Sequence, residues 1–376
     1  MFPRKCDRAP APKEGKIHGL GGGPVWKQAC LPKYSRILIR ATNWLGDAVM
    51  SLPALRAIRG RFPSAHIAVQ ARPGVAELYA RERLANEVIL YQAERGARDW
   101  SGKWRAARLL RAQRFDCAIL LANSFDSALV VWLAGIPRRI GYNRDGRGML
   151  LTDAVRAPRA GEIPPHERHY YLELLRRAGI IGELDPPDAI LLDGADEARL
   201  AGEKRFGELG IVGPVIGVSP GAAYGSAKRW PPERFAEAAA RVASAESATV
   251  AVFGSAEERP ICEITAGILQ TAGHRVRSFA GETSLGQFIE LAAACRLFFT
   301  NDSGAMHVAA ALGVPTVAVF GATDDVATGP CGPVARVVRE PVDCSPCLLR
   351  ECPIDHRCMT RVSAERVAEA GLKLLK

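Results

Sequence analysis

Residues 297–313, Leu-Phe-Phe-Thr-Asn-Asp-Ser-Gly-Ala-Met-His-Val-Ala-Ala-Ala-Leu-Gly, restrict the fold of this chain more than any other stretch. A short apolar run at Leu297–Phe299 ends in the polar turn Thr300–Gly304, and an Ala-rich segment with helical spacing follows at once. Strand, turn and helix in direct succession are the repeating unit of an α/β sheet, which binds ligands outside the carboxyl ends of its strands. Asp302 or Ser303 can cap the new helix, whose free N–H groups attract anionic groups such as phosphates. His307 falls about one turn in, within reach of the same ligand. Carboxylate, hydroxyl, helix N-terminus and imidazole together describe a polar-ligand site.

The unit recurs along the chain. Arg36–Arg40 reads as a buried strand, Asn43–Asp47 as a turn, and the stretch from Ala48 to about Phe62 as a helix. Ile67–Gln70, Val88–Tyr91 and Cys117–Leu121 read as further strands, with a helical stretch at Trp104–Gln113. The Pro/Asp-rich stretch Leu184–Asp188 marks the end of this first set. The pattern then restarts, with strands at Val215–Val218, Thr249–Phe253 and Thr316–Phe320 and helices at Glu233–Ala243, Pro260–Ala272 and Leu285–Ala294. Alternation of this kind builds parallel sheets from βαβ units. Two such halves joined by a short linker suit a chain of 376 residues. No short fixed period is present, which excludes a solenoid.

Composition narrows the class. A 48% hydrophobic, 24% charged chain is of the soluble globular type, and no apolar run reaches the length that spans a bilayer. Residues 1–34 hold Lys, Pro and the Gly21–Gly23 run without the apolar core of a signal peptide, so a disordered extension or a misassigned start is expected there. Ten cysteines with no secretory segment point to a reducing cytoplasm rather than a disulfide framework. Residues 1–190 hold 31 Lys and Arg against 18 Asp and Glu, whereas the remainder holds 19 against 22. The first half is therefore suited to an anionic partner, with acidic lipid head groups, phosphorylated glycans and nucleic acid as candidates. A merely solubilising Arg-rich surface is the competing explanation.

Two more turns invite chemistry. Ser219–Trp230, Ser-Pro-Gly-Ala-Ala-Tyr-Gly-Ser-Ala-Lys-Arg-Trp, follows a strand, so small residues such as Gly221 let backbone N–H groups approach phosphate oxygens while Lys228 or Arg229 supplies charge. It is neither a Walker A loop nor a Gly-x-Gly-x-x-Gly fingerprint, and the absence of the latter after any strand argues against a dehydrogenase. Thr42–Asp47 lies between the first strand and its helix, where Asp47 is either a capping acid or a general base aimed at a cleft. Cys344, Cys347, Cys352 and Cys358, with His356 among them, have the density of a zinc or iron–sulfur site but not the spacing of a standard ribbon or finger. A reduced, packed loop is the simpler expectation, and a metal-binding interaction protein built around the cluster is the non-enzyme alternative.

Taken together, Gly46-Asp47 with Ser51-Leu52-Pro53-Ala54-Leu55, then Lys228-Arg229-Trp230-Pro231, then Asn301-Asp302-Ser303-Gly304-Ala305-Met306-His307 resemble glycosyltransferase family 9, the ADP-heptose:lipopolysaccharide heptosyltransferases. The resemblance runs from about Arg36 to the C-terminus, and the Lys-Arg-Trp-Pro and Cys-Ser-Pro-Cys stretches favour members that add the second inner-core heptose. It implies a GT-B architecture: two Rossmann-like domains with parallel sheets facing across a cleft, residues 35–190 taking the acceptor and 191–376 the nucleotide sugar. The implied chemistry is an inverting single displacement from ADP-heptose to heptosyl-Kdo₂–lipid A, with no cofactor or metal. By motif, Asp47 is the base and Lys228 the donor-phosphate lysine. Asp302, Ser303, Gly304, Ala305 and His307 form the donor turn, Asp302 serving sugar hydroxyls or the order of the turn, and Thr283 and Glu257 stand near adenine and ribose. Without a metal, a lysine and a helix N-terminus must neutralise the pyrophosphate. The basic first half then meets a phosphorylated lipid at the inner membrane face rather than nucleic acid, with Arg56, Arg59 and Arg61 as contributors, and any membrane association is peripheral. Another GT-B enzyme, such as a heptosyltransferase of different acceptor position or an epimerase, is the alternative.

Overall fold

Buried on both faces, the central strands of this protein read as near-continuous apolar runs, and with half-buried edge strands they assemble into two parallel sheets. The structure, a computed structural model, describes residues 34–92, 99–182 and 188–376. The expected N-terminal extension, Tyr34 excepted, and residues 184–187 of the expected linker lie outside the described residues.

The first half runs β1 (Arg36–Arg40), α1 (Leu45–Arg61), β2 (His66–Ala71), α2 (Pro73–Arg81), β3 (Glu87–Leu90), α3 (Trp100–Ala112) and β4 (Cys117–Leu120). It continues with α4 (Phe125–Leu133), β5 (Arg138–Tyr142), β6 (Asp153–Val155) and α5 (Glu167–Arg177). The second half runs α6 (Ala195–Glu208), β7 (Val215–Ser219), α7 (Pro232–Glu246), β8 (Thr249–Val252), α8 (Arg259–Thr271), β9 (Val276–Ser278) and α9 (Leu285–Ala293). It ends with β10 (Leu297–Asn301), α10 (Gly304–Ala311), β11 (Thr316–Phe320), α11 (Asp325–Thr328), β12 (Ala335–Arg339), α12 (Arg357–Thr360) and α13 (Ala364–Leu374).

Each sheet has six strands, in the orders β3-β2-β1-β4-β5-β6 and β12-β11-β10-β7-β8-β9. Counted within its own half, each order is 3-2-1-4-5-6, the doubly wound arrangement of a dinucleotide fold and the GT-B expectation. The order reverses between β1 and β4 and between β7 and β10. Those are the two places where ligands bind such sheets, outside the carboxyl ends of the strands.

The described residues fall in one compact unit. Ile289, Ala293, Val308 and Ala311 of the second half join the apolar core of the first, beneath α1 and α2. Polar contacts fix the same junction: Arg81 pairs with Glu290 at 3.1 Å, and Glu77 accepts from the Ser284 hydroxyl at 2.8 Å and from Gly286 N–H.

Two expectations need correction. The first helix starts at Leu45, three residues before Ala48, because Trp44 is the extended residue at its N-terminus. Asp47 is therefore an acid of the first turn rather than the N-cap itself. The arginines of α1, expected to form a free surface for an anionic partner, make contacts within the protein instead. Arg56 pairs with Glu82 at 3.1 Å and Asp193 at 3.3 Å, Arg59 donates to the carbonyls of Leu84 and Ala65, and Arg61 lies over the Phe62 ring. They occupy the far end of α1, Arg59 about 18 Å along the axis from Asp47.

Gly202 of α6 shows how tightly these layers pack, since a Cβ there would lie against the Glu290 carbonyl and 2.9 Å from Ala294 Cβ. Alanine gains about 1 kcal/mol of helix propensity over glycine, but overpacking costs about 1–3 kcal/mol. Gly202→Ala is therefore expected to lower the thermal midpoint. Gly207→Ala on the same helix, where a Cβ meets open space, is expected to raise it slightly.

Candidate active site

The second sheet's reversal point is built by three consecutive residues at the end of β10. Buried Asn301 accepts from Trp230 N–H at 2.9 Å and donates to the Pro220 carbonyl at 2.8 Å, tying the long loop after β7 to the neighbouring strand. Trp230 is anchored in turn by its indole N–H, which donates to the Val362 carbonyl at 3.1 Å. The loop so pinned delivers Lys228, whose ammonium lies 2.6 Å from Asp302 Oδ2. Thr323 donates to the same oxygen at 2.5 Å. Asp302 thus orders the turn by holding the lysine. Ser303 stands at the N-terminus of α10 but its side chain does not cap it, bonding instead with Thr300 Oγ1 at 3.2 Å. The side chain of Ser303 therefore leaves the leading N–H groups of α10 uncapped beside a lysine, an arrangement that suits an anionic group.

The first sheet presents Asp47 from the other side. Burial raises its pKa above the usual carboxylate range, opposed by the hydrogen bond from the Tyr171 hydroxyl and by the charge of Lys228. Glu167, one turn before Tyr171 on α5, is also raised by burial, and then by the Asp47 charge. His307 is buried, and burial pushes its pKa down to about 4, so it is neutral at physiological pH. Its ring fills the space at Gly46, where a Cβ would come within 2.8 Å of His307 Cδ2. Gly304 likewise meets Leu45, at 2.7 Å from a built Cβ to Leu45 Cβ. The two glycines let the N-terminal ends of α1 and α10 approach each other.

Between these walls lies a cleft of about 540 Å³. Asp47, Lys228, Asp302, Ser303, Gly304, Ala305, His307 and Thr283 all line it, so residues from four distant stretches of sequence converge. Glu257 does not: it is exposed, and its neighbour Glu258 faces the cleft in its place. Gly221 is not on the lining; its lack of a side chain makes room for the Glu258 carboxyl group. Sequence reasoning missed Tyr224, Leu285 and Phe288 on the walls, and Tyr171 behind Asp47. Of these only Tyr224 lies inside a stretch already marked by its small residues and lysine.

Residues 103–357 match the family described as glycosyltransferase family 9 (heptosyltransferase). The chain is 37% identical over 310 residues to lipopolysaccharide heptosyltransferase 2 of Escherichia coli K12, covering 81% of this chain and 88% of that protein. This chain belongs to glycosyltransferase family 9. It is 33% identical over 313 residues to lipooligosaccharide heptosyltransferase 2 of Haemophilus influenzae, again covering 81% and 88%. Its fold superposes on the solved E. coli ADP-heptose lipopolysaccharide heptosyltransferase II with a TM-score of 0.76 at 32% identity, over 90% of this chain and 98% of that one.

The cysteine-rich segment of this family member braces the lysine loop. Arg350 carbonyl accepts from Ala227 N–H at 3.0 Å, His356 Nε2 donates to the Ala227 carbonyl at 2.9 Å, and Tyr224 hydroxyl donates to the Leu348 carbonyl at 2.7 Å. The Tyr224 ring is flanked by the Lys228 ammonium at 4.7 Å and the Arg350 guanidinium at 5.2 Å. Cys344, Cys347, Cys352 and Cys358 are free thiols, and Cys358 is pushed up by burial and then by the other three. Among the described residues no group of three or more His, Cys, Asp or Glu side chains is arranged to hold a metal ion.

The Gly46–His307 contact makes a quantitative test possible. Gly46→Ala is expected to destabilise by about 1–3 kcal/mol, and combining it with His307→Ala is expected to cost less than the sum of the two, because the smaller side chain vacates the clash. Denaturant midpoints of the four proteins in the cycle check this.

Proposed function

We propose that the cleft transfers heptose from ADP-heptose to the heptosyl-Kdo₂–lipid A inner core, with inversion and in a single displacement. The observation that carries this reading is the opposition of Lys228 and the uncapped α10 N-terminus on one wall to Asp47 on the other. The names of the relatives, which are heptosyltransferases of lipopolysaccharide or lipooligosaccharide, supply the sugar and the acceptor class.

In this reading residues 191–376 hold the donor. The diphosphate lies across the α10 N-terminus with Lys228 at its oxygens, and adenine enters the apolar wall made by Leu285 and Phe288 beside Thr283. Glu258 is in place to accept from ribose hydroxyls. Residues 35–190 present the acceptor, whose hydroxyl oxygen attacks the anomeric carbon from the face opposite the departing phosphate. The hydroxyl proton passes to Asp47, and the bond between the anomeric carbon and the β-phosphate oxygen breaks. Charge that develops on ADP is met by Lys228 and the α10 N–H groups. A raised Asp47 pKa brings the base nearer the operating pH and increases its proton affinity at the moment of attack. The acceptor being a phosphorylated lipid, the protein works peripherally at the inner face of the cytoplasmic membrane.

Purified protein given ADP-heptose and that acceptor is expected to release ADP in step with heptosylated product; no release beside an active control enzyme overturns the proposal. The acid limb of kcat/KM is expected above the ordinary Asp range, since the base must be ionised and burial favours its protonated form. Tyr171→Phe removes a hydrogen bond that favours the ionised form, so it is expected to move that limb to still higher pH. A shift to lower pH, or none, contradicts the assignment.

A further inference from the structure

Helix α3 carries an unusual outer face. Its buried residues are Gly102, Lys103, Ala107 and Leu110, directed at the first sheet. Its exposed residues include Trp100 and Trp104, one turn apart at 50 and 52% exposure with Arg108 and Arg111 beside them, while Leu109 and Arg105 lie on the other flank of the helix. The helix sequence Trp-Ser-Gly-Lys-Trp-Arg-Ala-Ala-Arg-Leu-Leu-Arg-Ala contains no acid, and Arg114 follows it. Helix α4 lies alongside in the same direction: Lys103 pairs with Asp126 at 3.0 Å near both N-termini, and Arg111 donates to the Leu133 carbonyl at 2.6 Å near both C-termini. On α4, Trp132 is a further exposed aromatic residue, at 48%.

Single exposed apolar residues need no explanation, but adjoining ones rimmed by one sign of charge mark an interaction surface. Tryptophan and arginine share a physical preference: each buries an apolar body while keeping a polar tip in water. A surface of tryptophan and arginine, whose nearby described carboxylates Asp99 and Asp126 are engaged by the Gly102 N–H and by Lys103, suits the boundary of an anionic bilayer, where rings sit at head-group depth and guanidinium groups meet lipid phosphates. Position agrees with chemistry. In a parallel sheet the helices begin at the carboxyl edge, so Trp100 lies on the same edge as Trp44, itself 48% exposed, and Asp47.

We propose that the outer face of α3, extended by α4, seats this protein on an anionic lipid bilayer, with the acceptor entrance beside the lipid surface. The inference rests on the reading that the acceptor is a lipid, and it replaces the α1 arginines with α3 as the basic surface that meets the membrane.

The test is flotation of the full chain with vesicles of phosphatidylethanolamine and phosphatidylglycerol, and with vesicles of phosphatidylcholine alone. Binding to the first and not the second, weakened by added salt, is expected. Trp100→Ser with Trp104→Ser is expected to weaken it on the order of ten-fold. Arg105→Glu with Arg108→Glu is expected to weaken it at least as much, given about five-fold per arginine lost near an anionic surface. Thermal midpoints of both variants should match the unaltered protein, since these side chains are exposed. Transfer to a deacylated, water-soluble acceptor should be unchanged in both, whereas transfer to acceptor held in vesicles should fall. Unaltered protein that fails to float with phosphatidylglycerol vesicles, or variants that float equally well, overturn the proposal. So does a dimer in sizing experiments that both variants dissociate, which would assign the face to a second copy. Absence of transfer to either acceptor by the unaltered protein would instead refute the heptosyltransferase reading, independently of the flotation result.

Discussion

The ion pair between Lys228 and Asp302, 2.6 Å long and largely shielded from water, is the contact on which the arrangement of the second half's site depends. Burying both charges carries a desolvation cost that attraction and added hydrogen bonds must offset, and leaving either partner alone costs about 3–5 kcal/mol. Thr323 helps by donating to the same carboxylate oxygen. The pair also has a geometric consequence. It joins the loop after β7 to the turn after β10 across the point where the strand order reverses, so the lysine stands beside the open N-terminus of α10. In the proposed reading an incoming diphosphate would meet an ammonium group already held in place, with little ordering cost left on binding.

Around that pair the structure supplies three supports that differ in kind. Asn301 pins the loop through its amide, Trp230 anchors the end of the loop in the core, and the cysteine-rich segment holds its middle through backbone carbonyls. Across the cleft, Asp47 has the opposite environment: a partly dehydrated carboxyl with one tyrosine donor and a second acid, Glu167, nearby. One carboxylate is paired with a lysine and holds it in place. The other has no cation paired with it among the described residues, and burial raises its pKa. That difference follows from what each meets at the cleft wall, Asp302 a lysine and Asp47 a tyrosine and a second acid, on facing N-terminal helix ends that Gly46 and Gly304 allow to approach.

Much of this was legible in the sequence because it is local. β1 and β11 have the bounds their apolar runs indicate, and the turn at 300–304 leads into α10 as the Ala-rich pattern requires. What was not legible depends on direction or on distance along the chain. Glu257 and Glu258 are equivalent in a sequence, yet on a turn successive side chains point apart, and only the second faces the cleft. The arginines of α1 raised the charge of the first half, but a charge count has no direction, and Arg56 and Arg59 serve the junction between the halves and the end of their own helix. Tyr171 lies 124 residues from Asp47, as their numbers show, with no motif linking them. The cysteines drew attention by density, whereas the contacts that brace the lysine loop come mainly from the backbone and His356 between them.

The central claim is that the cleft separates binding of the donor from activation of the acceptor, and paired measurements on Asp47→Asn test it most directly. This variant keeps the shape of the side chain and removes its ability to take a proton. The account predicts single-turnover transfer slower by on the order of 10²–10⁴-fold, with the Kd for ADP unchanged within a factor of about two. Transfer at the unaltered rate, or loss of ADP binding in step with loss of transfer, would contradict it.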